Sequence, residues 1–332
     1  MKAIVLQRNS PSKIQLLDLP QPICGPKEVL IQIKAAALNH RDEWCRKGKY
    51  PNLKDGVILG SDAAGIVAEV GADVDPFWLE KEVIINPAKN WGTNEKAQSS
   101  DFEILGMPNS GTLAEYITVP WDRIHEKPPH LNWEEAAAIS LAGLTAYRAL
   151  VIKGQVQAND QVLVTGIGGG VAQFAAQFAL ALGAKLFVSS SDDQKISQAL
   201  ALGAIAGYNY TKDTWNKEVI QQTGGMDLVI DGAAGNTISN LMDLCKPGGR
   251  LVFYGATRGN PDHLEARKLF WNQLQLIGTT MGSDADFLQM LHLVNKYQIK
   301  PILDQAFPLE QADQAFDRMK EGRQFGKIAL VP

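Results

Sequence analysis

The 332-residue chain is poor in the side chains that build metal sites and disulfides. It has three cysteines, Cys24, Cys45 and Cys245, and five histidines, His40, His125, His130, His263 and His292. Three scattered thiols give no disulfide framework, suit a reducing cytoplasm and cannot supply a four-cysteine zinc site. No histidine or cysteine joins a neighbour in a C-x-x-C, H-x-x-x-H or H-E-x-x-H pattern, so metal chemistry is disfavoured. A large excess of one charge is absent too. The 32 basic and 36 acidic residues give a net charge of −4, and no basic stripe points to nucleic acid. No apolar run reaches the roughly 18 residues of a membrane span. The opening Met1-Lys2-Ala3-Ile4-Val5-Leu6-Gln7 turns polar too early for a signal peptide. What remains is an ordinary globular composition, 45% apolar and 20% charged. At roughly 150 residues per domain it predicts two domains.

The first part reads as β. Val29, Ile31 and Ile33 alternate with polar residues, and further short strands are predicted over 64–70, 82–86 and 113–119. Pro20, Pro22, Gly25, Pro26, Gly60, Gly71 and Pro87 punctuate them, which predicts a barrel-like β unit. After Pro128-Pro129 the text becomes alanine-rich and helical, then alternates. Strands are predicted at 162–165, 185–189, near Tyr208, at 228–231 and at 251–254. Helices are predicted at 171–182, 192–202, 213–222 and 236–245. Such alternation means βαβ units and a parallel sheet covered on both faces. The tail carries two amphipathic helices, one through Phe287, Met290, Leu291 and Val294, the other through Ala312, Ala315, Phe316 and Met319. A last strand covers 327–331.

The most telling segment is Val162-Leu163-Val164-Thr165-Gly166-Ile167-Gly168-Gly169-Gly170-Val171-Ala172. It follows a predicted strand and opens a helix with an apolar stripe of Val171, Phe174, Ala175, Phe178, Ala179 and Leu182. A pyrophosphate lies against backbone N–H groups at a helix N-terminus, and a Cβ there would hold it away. Gly166 suits the tight turn, while Gly168, Gly169 and Gly170 leave the loop open. Ala172 packs on the strand. A glycine cluster by itself is equally a flexible loop, but the strand before it and the βαβ series after it select dinucleotide binding. At the end of the second strand an NAD site carries Asp or Glu. Here Ser190 stands 24 residues after Gly166, with Ser191 beside it. Serine does not repel a 2′-phosphate, and Lys195 one turn later supplies a cation, which favours NADP(H). The alternatives are a plain capping box of Ser191 with Gln194, a solvated Lys195, and Asp192 or Asp193 turning to a ribose in an NAD(H) site.

Several stretches then follow one another in order: Ala37–Asp42, Leu59–Val67, Gly143–Tyr147, the glycine turn, Lys246–Val252, Gly278–Ser283 and Gly326–Ile328. Through them the chain resembles the medium-chain dehydrogenase/reductase superfamily, and within it the zinc-free quinone oxidoreductase branch. The resemblance implies an α/β fold: a GroES-like β domain of residues 1–125 and 283–332, plus a Rossmann doubly wound parallel-sheet domain of 126–282. Zinc-dependent relatives place a cysteine where Asn39 stands and a histidine where Ser61 stands, with Asp62 at their adjacent carboxylate. Asn39 and Ser61 are poor zinc ligands, so no metal is expected. Those relatives also carry a four-cysteine lobe where residues 90–106 contain no cysteine. A vestigial lobe held by other packing is expected, with an unrelated surface loop as the alternative.

The resemblance also suggests roles. The branch usually has a tyrosine near the nicotinamide where Trp44 stands, and Trp44 can stack but cannot donate a phenolic proton. His40 matches a residue that faces cofactor phosphates in some relatives, with a surface histidine as the alternative, and Cys45 is expected to be buried rather than reactive. NADPH-binding members carry a lysine and a tyrosine at the places of Lys195 and Tyr210. Thr145 and Lys327 are expected at the cofactor. Gly255, Ala256, Thr257, Thr280, Met281 and Gly282 are expected to flank the nicotinamide, because ligands gather at strand ends. The implied activity is zinc-independent hydride transfer from NADPH, with NADH the less favoured cofactor. The acceptor is a small quinone, carbonyl or activated alkene in the cleft between the domains. Asn39 and Ser61 would hydrogen-bond the substrate oxygen, and Asp42 would orient their segment. The alternatives are a zinc-dependent alcohol dehydrogenase and a non-catalytic NADPH-binding sensor. A cytoplasmic homodimer joined through Rossmann sheet edges is expected, with no nucleic-acid or membrane partner.

Overall fold

The alternation of Val29, Ile31 and Ile33 becomes the strand Glu28–Ala37, the hub of a seven-stranded sheet. It pairs antiparallel with Asp62–Val70, Tyr116–Pro120 and Lys327–Val331. Leu303–Pro308, Glu82–Ile85 and Ile124–Glu126 complete the sheet. Two register slips against Asp62–Val70, at Leu30/Ile31 and Ile33/Ala35, curl the long strand as bulges do in barrel-like sheets. Ile31, Val67, Ile85 and Leu330 of this sheet share one core with Leu6 and Leu113. The helix Ala312–Lys320 adds Ala312, Ala315, Phe316 and Met319 to that core, the four residues its spacing selected. The tail therefore shares one core with the first strands.

The second sheet has six parallel strands, in the order Ala206–Asn209, Lys185–Ser190, Gln161–Val164, Met226–Asp231, Cys245–Phe253, Gln275–Gly278. In sequence terms this is the 3-2-1-4-5-6 order of a doubly wound sheet. The helices Gly170–Ala181, Asp193–Ala201, Trp215–Thr223 and Thr237–Leu244 fall where the pattern predicts them.

The structure, a computed structural model, describes residues 1–332 as two units: Met1–Ala142 with Gly282–Pro332, and Gly143–Met281. The sequence reading placed these breaks after 125 and 282. The helix Trp133–Ala138 accounts for the first difference. Its buried face is Ala136, Ala137 and Ala138, small enough to lie close on the strands Glu28–Ala37 and Asp62–Val70 of the first unit. The strand predicted over 113–119 begins only at Tyr116. The residues before it are used elsewhere: Gly111 and Leu113 donate backbone bonds to Ile58 and Leu59.

The cysteine-free segment keeps a built shape. Ala88–Lys89 pairs with Glu103–Ile104. Trp91 is buried and meets Phe102 edge-on at 5.3 Å, and Ser99 Oγ donates to Asn90 O at 2.7 Å. An aromatic pair and a short hairpin therefore hold this segment.

Candidate functional site

In the parallel sheet the strand order reverses between Gln161–Val164 and Met226–Asp231, and ligands bind at such switch points. A buried carboxylate ties the two strand ends together there. Thr165 Oγ1 donates to Asp231 Oδ1 at 2.5 Å, and the N–H groups of Ala233 and Ala234 donate to Asp231 Oδ2 at 3.0 and 2.7 Å. Gly166 has φ +59°, a left-handed conformation that favours glycine, and a Cβ there would meet nothing within 4 Å. Gly169 is the extended N-cap of the helix Gly170–Ala181, with no side-chain cap and no acid in the first turn. The first N–H groups of that helix are thus left as donors for an anion, so a dinucleotide pyrophosphate fits the residues present. Ala172 is fully buried, as predicted, while Val171 is half-buried. Gln173 lies buried at the turn, where its Nε2 donates to Ile167 O at 2.7 Å. A polar residue there carries no sequence signal, and it braces the turn.

Other predicted cofactor residues gather in the same unit. Thr145 Oγ1 donates to Met281 Sδ at 3.8 Å. Thr257 Oγ1 donates to Gly232 O at 3.4 Å, and a Cβ on Gly255 would lie 2.9 Å from the same oxygen, so 255–257 runs against the turn after Met226–Asp231. Ala256 and Thr280 are exposed. Gly282 instead belongs to the first unit, next to Ser283, the N-cap of Asp284–Tyr297.

At the second strand end, Ser190 is buried and its Oγ accepts from Asp192 N at 3.1 Å, while Ser191 is exposed. The helix Asp193–Ala201 is capped by Asp192, which accepts from Gln194 N at 2.8 Å; the Ser191/Gln194 capping box does not form. Asp193 Oδ1 accepts from Asn209 Nδ2 at 2.8 Å. Both acids next to the serines are therefore already engaged. Lys195 is half-buried on the same helix. Tyr210 N donates to Ser190 O at 3.1 Å, which brings Tyr210 beside the strand end. The Arg258 guanidinium lies 5.6 Å from the Tyr210 ring centroid. Arg258 escaped the sequence reading because it comes from the loop after a different strand.

The first unit builds a second polar cluster by strand register. Asp62 pairs with Ala37, and Ala329 pairs with Ala37 from the other side. Asn39 lies two residues beyond Ala37 and Lys327 two before Ala329, so three distant segments converge. Gly326, at φ +104°, delivers the lysine; a Cβ there would strike Ile302 O at 2.1 Å. Lys327 Nζ donates to Asn39 Oδ1 at 2.7 Å and Asp62 Oδ2 at 3.0 Å, while Asn39 Nδ2 donates to Asp62 Oδ2 at 2.9 Å. Leu141 N completes the set by donating to Asp62 Oδ1 at 2.8 Å. Lys327, expected at the cofactor, is thus anchored beside Asn39. Ser61, expected to hold substrate, accepts from Arg41 Nη1 at 2.6 Å and donates to Leu105 O at 2.7 Å.

The helix His40–Arg46 carries the remaining candidates. His40 is exposed at its start, and Trp44 is half-buried with Lys47 and Lys49 near its ring at 5.8 and 5.9 Å. Cys45 is fully buried, and burial pushes its thiol up to about 12. Tyr50, in the loop after this helix, accepts from Arg41 Nε at 3.2 Å. Asp42 Oδ2 accepts from Asn39 N at 2.8 Å. Its Oδ1 is buried without a partner.

Burial raises the Asp42 carboxyl from 3.8 to about 6, against the opposing pull of Arg41 and the Asn39 N–H. Between those values the folded chain binds this proton more tightly than the unfolded chain. The stabilising contribution of this group therefore falls as pH rises from about 4 to about 6. Two pKa units correspond to about 3 kcal/mol. Asp42→Asn keeps an acceptor for Asn39 N and should remove that fall. In urea unfolding, the variant should gain on the wild type by up to about 3 kcal/mol between pH 4 and pH 7. Parallel pH profiles would refute this.

Zinc does not fit the first-unit cluster. Zn²⁺ takes thiolate, imidazole or carboxylate, and the two key positions hold a carboxamide and a hydroxyl. Each already bears a cationic donor, Lys327 on Asn39 and Arg41 on Ser61. No group of three or more His, Cys, Asp or Glu side chains is placed to hold a metal.

Known proteins match both units. The family model "Alcohol dehydrogenase GroES-like domain" matches residues 25–129, and "Zinc-binding dehydrogenase" matches 170–296. A zinc-type alcohol dehydrogenase-like protein, YogA, of Leptosphaeria maculans is 36% identical over 96% of this chain and 94% of its own length. A crotonyl-CoA reductase of Streptomyces avermitilis is 29% identical over 96% of this chain and 82% of its own length. A crystal structure of an NAD-dependent alcohol dehydrogenase is 38% identical, covers both chains fully and superposes with a TM-score of 0.94. With the doubly wound sheet, the glycine turn and these matches, the chain belongs to the medium-chain dehydrogenase/reductase superfamily of NAD(P)H-dependent oxidoreductases.

Proposed function

We propose that the protein is a zinc-independent, NADPH-dependent reductase of a small quinone, carbonyl or activated alkene. One observation carries this reading: the two positions a zinc site would need hold a carboxamide and a hydroxyl bonded to cations, and the acids beside the second strand end are bonded within the protein. Asn39 and Ser61 are held by Lys327 and Arg41, and Asp192 and Asp193 by a helix cap and Asn209. In this reading the N–H groups opened by Gly166, Gly168, Gly169 and Gly170, with Val171, hold the pyrophosphate. Ser190, Ser191, Lys195, Tyr210 and Arg258 take the 2′-phosphate. Thr145, Gly255, Ala256, Thr257, Thr280 and Met281 line the nicotinamide end, and bound NADPH supplies the hydride. Asn39, its carboxamide aimed by Lys327 and Asp62, anchors the substrate oxygen, and Trp44 packs against the substrate. Ser61 serves as a support for Arg41. The edge strand Gln275–Gly278, paired on one side, suits the expected homodimer. The crotonyl-CoA reductase relative supports an activated alkene, while the solved NAD-dependent alcohol dehydrogenase favours a second reading with NADH.

Fluorescence titration with NADPH and NADH separates the cofactor readings. The wild type should prefer NADPH, and Arg258→Ala should weaken NADPH by about tenfold or more while leaving NADH unchanged, as expected for one charge-assisted bond. Equal affinities for the two cofactors would overturn the NADPH assignment. NADPH oxidation is then followed with quinones, enoyl thioesters and aldehydes in the presence of a chelator. Turnover that requires added zinc, or none with any class, would overturn the activity.

A further inference from the structure

The Arg41 side chain is the most heavily used buried cation of the first unit, and the proposed reaction gives it no role. It is 8% exposed in the short helix that follows Asn39. Nη1 donates to Ser61 Oγ at 2.6 Å and also to Leu105 O. Nη2 reaches Met107 O at 3.2 Å and Ile104 O at 3.4 Å, and Nε donates to Tyr50 Oη at 3.2 Å. All three guanidinium nitrogens are thus employed. One planar cation gathers the strand start at Ser61, the cysteine-free segment at 104–107 and the Tyr50 loop around the helix.

We propose that Arg41 takes over, without a metal, the task of a coordinated ion at this cluster: it draws these segments together and denies divalent cations the Ser61 position. This rests on the zinc-independent reading. A guanidinium remains protonated at any accessible pH, so it cannot act as a ligand, and its charge repels an incoming cation. Its Nη1 sits within 3 Å of Ser61 Oγ, in the space a metal bonded to a side chain at that position would need. The planar fork explains why arginine serves here. Lysine offers a point charge on a flexible stem and cannot present three nitrogens to a hydroxyl, a phenol and several carbonyls at fixed angles. The carbonyls of Ile104, Leu105 and Met107 complete the argument, because they are acceptors that a buried cation satisfies.

The test uses zinc ion alone as the probe. Wild-type protein, dialysed against zinc and then washed, should retain none by elemental analysis. Asn39→Cys with Ser61→His supplies a thiolate and an imidazole while Arg41 remains. Adding Arg41→Ser removes the guanidinium. The triple variant should bind zinc at least tenfold more tightly than the double variant. Stoichiometric zinc in the wild type would overturn the zinc-independent reading and this proposal together. A zinc-free wild type with equal affinity in the two variants, whether high or undetectable, would overturn the role of Arg41 alone. Amide exchange gives a readout that does not depend on metal. The Leu105 and Gly106 N–H groups donate to Pro87 O and Asn109 O, and in Arg41→Ala they should exchange at least tenfold faster. If that variant does not fold, Arg41→Lys should show the same loss with the charge kept. Unchanged protection in the folded variant would overturn the bridging role.

Discussion

Gly169→Asp should make the protein more stable and abolish its cofactor binding. Gly169 is the extended N-cap of the twelve-residue helix Gly170–Ala181, and no side chain caps that helix now. A Cβ there meets only Gly166 O, at an ordinary 3.5 Å, so the substitution costs little strain. Aspartate is among the best N-caps and its charge suits the helix N-terminus, which together contribute about 0.5–1 kcal/mol. The same carboxylate would occupy the N–H donors that a pyrophosphate needs and would repel its charge. NADPH affinity should fall at least about a hundredfold, equivalent to about 2.7 kcal/mol. Thermal unfolding with and without NADPH reads both effects: a raised midpoint without cofactor, and no further shift with it. A variant that keeps its NADPH-induced shift would place the dinucleotide away from this turn. Gly169→Ser, a neutral cap, should stabilise similarly and lose less affinity.

Lys327→Ala should cost about 3–5 kcal/mol of stability, because it strands a buried carboxylate. The Lys327 and Asp62 side chains are 4% and 0% exposed and lie 3.0 Å apart. Without the ammonium, Asp62 keeps only the Asn39 amide and the Leu141 N–H. It would then be a buried carboxylate without a countercharge. Lys327→Met with Asp62→Leu removes both charges and should recover much of the loss, since buried ion pairs contribute little net against apolar packing. Urea unfolding of the wild type, Lys327→Met, Asp62→Leu and the double variant closes the cycle. A coupling energy near zero would show that the two charges do not sense each other. Because the same ammonium aims the Asn39 carboxamide, Lys327→Ala should also lower turnover in whichever substrate assay succeeds.

The parallel-sheet unit was legible almost element by element. Its signals are local: an apolar strand, a glycine turn and an amphipathic helix lie within 22 residues from Gln161 to Leu182. The first unit was legible in kind but not in extent. The Trp133–Ala138 helix reads as the start of the next domain, because a run of alanines does not say which sheet it will press against. The site divides in the same way. Gly166, Gly169 and Ser190 stand at the turn, the helix N-cap and the strand end that spacing pointed to. Ser61 was read as a substrate anchor because its type allows it, yet its hydroxyl is spent on Leu105 O. Arg41 sat in a matched stretch and its role was invisible, since most of its partners are backbone carbonyls, which have no sequence signature.

The sequence by itself determined the chemistry the chain can hold. Three scattered cysteines and no histidine pattern at ligand spacing disfavour a metal cluster, and a glycine turn between a strand and a helix points to dinucleotide binding. Short-range backbone physics suffices for that. Only the tertiary structure decided which polar groups remain available. Asn39, Asp62 and Lys327 meet through the register of three strands, Arg258 reaches Tyr210 from another loop, and Arg41 gathers carbonyls more than 60 residues away. Hydrogen-bond partnership at a site is settled by long-range packing, and composition and spacing say nothing of which donors are already in use.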